Sequence, residues 1–205
     1  MSPLDQRTIG IVVLSLLGLL VVIKRVATGS VLKDRPQGGL RPWLTHVFNL
    51  SFLLVVNPLA GVLLLTRKLA LDPTRLVVES PWAQGAWQAA GLIFSVAGYL
   101  LMGWALLRLR SAYQAGGSAP RETDQMVISG PYSLVRHPMY TAALSIALGL
   151  ACLTQSLACF AVFVIYVVLI GLLVPAEEAV LKRAYGEQYA SYQRRVGSLI
   201  PLIAR

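Results

Sequence analysis

The sequence predicts an all-α, polytopic membrane bundle of about five transmembrane helices, with a C-terminal amphipathic helix on the cytoplasmic side. Three observations carry that prediction. Of the 205 residues, 56% are hydrophobic and only 13% charged, where a soluble domain carries about 25% charged residues. The apolar residues gather in uncharged runs approaching the length needed to cross a bilayer. The basic residues sit at the ends of those runs, where Lys and Arg fix orientation and meet anionic headgroups. The net charge of +9 therefore points to the lipid bilayer and not to nucleic acid, which calls for basic residues on one face with aromatics among them.

Thr8 to Ile23 forms the first apolar run and ends at Lys24-Arg25. No small-residue cleavage pattern precedes that basic pair, so the run is an uncleaved membrane helix. A loop rich in Lys, Arg, Pro and Gly follows. The second span, about Leu44 to Thr66, contains His46, Asn49 and Asn57-Pro58; the proline should kink it and free a backbone carbonyl. Polar side chains in such a helix face the bundle interior. For His46 two readings stand, a cavity-lining residue or one bonded to a neighbour near the interface.

Arg67 to Gly85 is a polar connector with a turn at Asp72-Pro73 and interface anchors at Trp82 and Trp87. The third span covers about Ala86 to Leu107, with Gly91, Gly98 and Gly103 permitting close helix approach. After the polar stretch Ser111 to Val127 comes a fourth span, Met139 to about Leu153, opened by Pro138 at a helix start. Thr154-Gln155-Ser156 separates it from the fifth, Leu157 to Val174, so the two form a tight antiparallel hairpin. Glu177 to Val196 carries Leu181, Tyr185, Tyr189, Tyr192 and Val196 at helical spacing and reads as the amphipathic helix, its tyrosines assigned to packing. Cys152 and Cys159 have neither metal-ligand spacing nor His neighbours and read as packing residues.

Five spans put the termini on opposite sides. With the C-terminus inside, 14 of the 18 Lys and Arg residues are cytoplasmic, leaving Arg7, Arg67, Lys68 and Arg75 outside. The N-terminus is then external. A hairpin that leaves and returns also brings its two cytoplasmic ends together, so Ile128 to Tyr140 becomes a neighbour of Glu177-Glu178.

That junction holds an arginine fork suited to a carboxylate, Arg136, together with His137, the faces of Tyr132 and Tyr140, and two carboxylates. From residue types alone two readings stand. These are interfacial charges on helix ends, or they form a pocket for a zwitterionic, cationic cofactor with an aromatic base. S-adenosyl-L-methionine has that character.

The run Gly130-Pro131-Tyr132-Ser133-Leu134-Val135-Arg136-His137-Pro138-Met139-Tyr140 resembles the G-x-Y-x-x-x-R-H-P-x-Y signature of the isoprenylcysteine carboxyl methyltransferase family and related phospholipid methyltransferases. Glu177-Glu178-x-x-Leu181, Tyr185-Gly186-x-x-Tyr189-x-x-Tyr192 and the closing Ile200-Pro201 are similar to the family's second motif. The resemblance covers roughly Asp124 to Pro201. It implies an integral membrane methyltransferase using S-adenosyl-L-methionine on a lipidic or membrane-dissolved acceptor, with O-, N- or S-methylation all open. It divides the chain into a three-span region, residues 1–110, and a methyltransferase core, residues 111–205.

Carried over residue by residue, the cofactor-binding positions are Asp124, Gln125, Met126, Val127, Tyr132, His137, Pro138, Met139, Tyr140 and Glu177. The candidate catalytic residues are Arg136, His137 and Glu178, with His137 or Glu178 as the general base if the acceptor must lose a proton. Where prenylcysteine methyltransferases carry a substrate-contacting arginine, four residues before the binding glutamate, this chain has Leu173. The short chain points to a bacterial inner (plasma) membrane, and the oligomeric state stays open. Two alternatives remain, a sterol-reductase-like enzyme using NADPH and a non-catalytic lipid-binding protein.

Overall fold

The computed structural model describes residues 4–31, 40–110 and 125–201. The elements in order are α1 (Gln6–Thr28), α2 (Leu40–Ser51), a π-helical turn (Phe52–Val56), α3 (Asn57–Leu65), α4 (Pro81–Leu109), a 3-10 turn (Gly130–Ser133), α5 (Pro138–Thr154), α6 (Leu157–Tyr185) and α7 (Glu187–Arg195). The protein is an all-α, polytopic membrane bundle. Among the described residues, four helices are long and apolar enough to span: Gln6–Thr28, His46–Leu65, Pro81–Leu109 and Leu157–Tyr185.

The predicted fourth span is α5, an apolar helix of 17 residues, or roughly 25 Å at 1.5 Å per residue. It is the best enclosed of the helices. Ala142, Ile146, Ala147, Leu150 and Ala151 are each at most 2% exposed, so α5 is covered by neighbouring helices more than by lipid. Its main neighbour is α4, and glycine makes that contact possible. A Cβ on Gly98 would lie 2.9 Å from the Ala142 carbonyl oxygen and from the Ile146 nitrogen, and backbone atoms cannot give way as a side-chain tip can.

The second span is broken upstream of its proline. The Phe52–Val56 turn is π-helical, its Phe52 carbonyl accepting the Asn57 backbone amide and also the Asn57 side-chain amide at 3.3 Å. The predicted kink is therefore a bulge whose polar groups are satisfied inside the helix. The start of the third span also differs from the expected Ala86. Helix α4 begins at Pro81, capped by the Ser80 hydroxyl, which accepts the Ala83 amide at 3.4 Å.

The predicted amphipathic helix Glu177 to Val196 is two pieces. Helix α6 runs through Pro175 to Tyr185, and Gly186, at φ +55°, turns the chain into α7, a backbone conformation that costs glycine little. With 29 residues, α6 is roughly 44 Å long, against about 30 Å of hydrocarbon. Its last turns, with Glu177 and Glu178, extend beyond the apolar length Leu157 to Val174.

At the opposite end the hairpin is pinned to the α3–α4 connector. The Leu76 amide donates to the Gln155 carbonyl at 2.8 Å, and the Leu157 amide to the Thr74 carbonyl at 3.0 Å. Cys152 and Cys159 are free thiols. The α5 and α6 ends that carry the polar residues are thus held side by side.

Candidate active site

The polar stretch enters this end through the 3-10 turn Gly130–Ser133, where Gly130 takes φ +65° and Pro131 and Tyr132 are buried. Beyond it the chain runs beside its own C-terminal tail. Val135 pairs in parallel with Gly197, the Arg136 amide donates to the Gly197 carbonyl at 2.8 Å, and the His137 amide to the Ser198 carbonyl at 3.0 Å. The Thr141 hydroxyl adds a bond to the Leu199 carbonyl at 2.8 Å. Helix α5 then starts at Pro138, a residue suited to a first turn.

One carboxylate ties these pieces together. Glu178 Oε1 accepts from Arg136 Nε and Nη2, both at 2.8 Å, and lies 3.1 Å from His137 Nε2. Its other oxygen accepts the Gln193 side-chain amide at 2.9 Å. The remaining Arg136 nitrogen, Nη1, donates to the carbonyls of Gln193 and Val196. The guanidinium is thus engaged by Glu178 and by the end of α7. The Arg136 and Glu178 side chains are 11% and 15% exposed.

The adjacent Glu177 has a different setting. Its Oε2 accepts the Tyr140 hydroxyl at 2.8 Å, and the Tyr140 ring stacks on His137 with centroids 5.6 Å apart. Side chains of neighbouring helical residues diverge by about 100°. Glu177 accordingly lines a cavity, whereas Glu178, which faces the tail, is not among its lining residues.

That cavity measures about 310 Å³. Its lining includes Gln125, Met126, Val127, Tyr132, His137, Pro138, Met139, Tyr140 and Glu177, together with Arg136. Every described residue expected to bind cofactor therefore borders one space. Asp124 lies outside the described residues. Leu173 is buried and His46 half-buried; neither borders the cavity.

Several lining residues lie outside the positions assigned to the cofactor from the sequence. Lys24 of α1 borders the cavity and donates to the Val31 carbonyl at 2.7 Å; its position in a basic pair after an apolar run had suggested only a stop to the helix. Deeper in the bundle the cavity reaches Asn49, Asn57, Tyr99 and Tyr166. These form two pairs, Tyr166 to Asn49 at 2.8 Å and Tyr99 to Asn57. The polarity of Asn49 and Asn57 inside an apolar run was the available signal, and only the fold supplies their tyrosines.

On α7, Tyr192 donates to the Tyr132 carbonyl. Burial pushes its phenol up to about 12, with Arg136 opposing and Glu178 adding to the shift. Tyr189 also lines the cavity, but its hydroxyl is buried with no hydrogen-bond partner among the described residues.

The phospholipid methyltransferase family model matches residues 86–188, half of the chain. The chain belongs to that family. The match runs from α4 through α5 and α6 to the start of α7 and includes both carboxylates. The cobalt-zinc-cadmium resistance protein CzcN of Cupriavidus metallidurans is 36% identical over 85 residues, covering 41% of this chain and 39% of that protein. A methanethiol S-methyltransferase from a Pseudomonas species is 31% identical over 129 residues, covering 60% of this chain and 48% of its own. The chain thus spans less than half the length of these curated relatives. In fold it is similar to the eukaryotic intramembrane Ras methyltransferase ICMT (isoprenylcysteine carboxyl methyltransferase), with a TM-score of 0.53 at 19% identity, over 91% of this chain and 74% of the other.

Proposed function

We propose that this protein is an integral membrane methyltransferase that binds S-adenosyl-L-methionine in the cavity at the Ile128 to Tyr140 end of the bundle. The observation that carries this reading is the convergence of Gln125, Met126, Val127, Tyr132, His137, Pro138, Met139, Tyr140 and Glu177 on one space. The donor set suits a zwitterion with a positive centre: a carboxylate, aromatic faces, cationic side chains in the lining, and a buried hydroxyl with no partner among the described residues. When bound, S-adenosyl-L-methionine supplies a methyl group already activated on a sulfonium. The residues' task is then to position two partners and exclude water.

Glu177, oriented by Tyr140, faces the cofactor's positive charge. Gln125, Met126 and Val127, with the rings of Tyr132, His137 and Tyr140, surround its remainder, and Asp124 is assigned to the same binding stretch. Arg136 and Glu178 hold the motif strand to the tail and orient His137, and are positioning residues on this reading. With an ionised Glu178 accepting from His137 Nε2, Nδ1 is the ring nitrogen left to take a proton from an acceptor that must lose one. Residues 111–205 supply most of the cofactor's side of the cavity, and residues 1–110 contribute Lys24, Asn49, Asn57 and Tyr99, with Tyr166 of α6 donating to Asn49.

The acceptor is lipidic or dissolved in the membrane. The Pseudomonas relative, whose name gives methanethiol as its substrate, favours including small thiols among the candidates. Positive-inside counting supports a cytoplasmic motif end and an external N-terminus, and the bacterial sources of the relatives favour an inner membrane.

The test is transfer of labelled methyl from S-adenosyl-L-methionine into membrane lipid extracts and small thiols by the full chain in nanodiscs. Transfer is expected, and expected to disappear in Glu177→Gln. Absence of S-adenosyl-L-homocysteine binding by the purified protein would refute the reading. NADPH-dependent thermal stabilisation in its place would favour the reductase, and lipid binding without either cofactor a non-catalytic role.

A further inference from the structure

Three buried polar atoms have no hydrogen-bond partner among the described residues: Arg75 Nε, Ser95 Oγ and the Tyr189 hydroxyl. Arg75 belongs to the connector at the hairpin-turn end. Ser95 sits in the close α4–α5 contact opposite Gly149, where no ligand has room. Only Tyr189 borders the cavity.

Its sequence neighbour on the same helix makes the contrast informative. Tyr189 and Tyr192 lie three residues apart, 2% and 4% exposed, with rings edge to face and centroids 6.0 Å apart. Tyr192 donates to the Tyr132 carbonyl and so closes the site. The Tyr189 hydroxyl meets no acceptor among the described residues. A hydroxyl in that state carries an uncompensated desolvation cost, which persists in a fold when something else meets the group. Burial, with the Glu178 and Glu177 carboxylates adding to it, keeps the phenol protonated, so it acts as a hydrogen-bond donor.

We propose that the Tyr189 hydroxyl donates a hydrogen bond to S-adenosyl-L-methionine bound in this cavity, making Tyr189 a cofactor-binding residue outside both the Ile128 to Tyr140 motif and Glu177. The inference rests on the reading of the cavity as the methyl-donor site. The bond falls on an acceptor atom of either the nucleoside or the amino-acid end, and two probes separate these.

The experiment compares wild type with Tyr189→Phe, both as full chains in detergent. It measures calorimetric affinity for S-adenosyl-L-homocysteine and for 5′-methylthioadenosine, and the melting temperature without ligand. Tyr189→Phe is expected to weaken S-adenosyl-L-homocysteine binding roughly three- to tenfold, with a ligand-free melting temperature equal to or above wild type. Weakening with both probes places the bond on the nucleoside; weakening with S-adenosyl-L-homocysteine alone places it on the amino-acid end. Unchanged affinity in a variant whose parent binds overturns the role of Tyr189 alone, and a lowered ligand-free melting temperature does so too, because it reveals a protein partner for the hydroxyl. Failure of the wild type to bind overturns the reading of the cavity and this inference with it.

Discussion

Replacing Glu178 by Gln should unfasten the end of the molecule that holds the site, whereas the same change at Glu177 should leave the fold nearly untouched. The carboxylate of Glu178 receives Arg136 through Nε and Nη2 at 2.8 Å, His137 at 3.1 Å and Gln193 at 2.9 Å. Three segments meet there: α6, the start of α5 and the end of α7. A glutamine keeps one acceptor oxygen but turns an amide donor towards groups that are themselves donors. Removing one partner of a buried ion pair costs about 3–5 kcal/mol. With 11% and 15% of the two side chains exposed, the lower end applies, about 3 kcal/mol.

In a chain of this length that corresponds to roughly 6–12 °C of melting temperature. Glu177 receives one bond, from Tyr140 at 2.8 Å, worth about 1 kcal/mol. The assay is thermal unfolding of both variants in the same detergent without ligand, followed by S-adenosyl-L-homocysteine titration. Glu178→Gln should melt well below wild type, and Glu177→Gln within about 4 °C of it while losing most of its binding. If Glu178→Gln melts with wild type, the tail is held by something other than this carboxylate and the division of labour proposed for the pair is wrong.

Two further predictions concern the frame. Gly98→Ala drives a Cβ to 2.9 Å from α5 backbone and should lower the melting temperature by several degrees, an overpacking cost of about 1–3 kcal/mol; Gly171→Ala, which meets nothing within 4 Å, is the neutral control. Asp72 titrates below its ordinary 3.8: burial alone would raise it, but the nearby Ser156 hydroxyl and the hydrogen bonds from the Thr74 hydroxyl and amide, at 2.7 and 2.8 Å, prevail. A depressed carboxylate stabilises the fold above its unfolded value and loses that contribution as pH falls through the folded one. Asp72→Asn should therefore melt below wild type at neutral pH, with the gap narrowing below about pH 4. A gap independent of pH would sink that reasoning.

The membrane frame was legible because hydrocarbon imposes a length and a polarity on whatever crosses it. Apolar runs, basic flanks and the short Thr154-Gln155-Ser156 break were sufficient for the bundle, the hairpin and the meeting of Ile128 to Tyr140 with the glutamate pair. The helix ends were less legible. A run of hydrophobicity stops at Val174, but a hydrogen-bonded helix continues through Pro175 until Gly186 permits the chain to turn.

The sequence by itself determined the fold class, the family, and which stretch faces which. It could not rank chemically identical neighbours. Glu177 and Glu178 differ by about 100° of helix rotation, and Tyr189 and Tyr192 differ by whether a carbonyl lies in reach. The tail that occupies Arg136, the α1 lysine that borders the cavity and the tyrosines that answer Asn49 and Asn57 all come from elsewhere in the chain. Only the tertiary structure decided these. Hydrophobic length is a property of a segment, whereas a hydrogen bond is a property of two groups whose separation in space the order of residues does not contain.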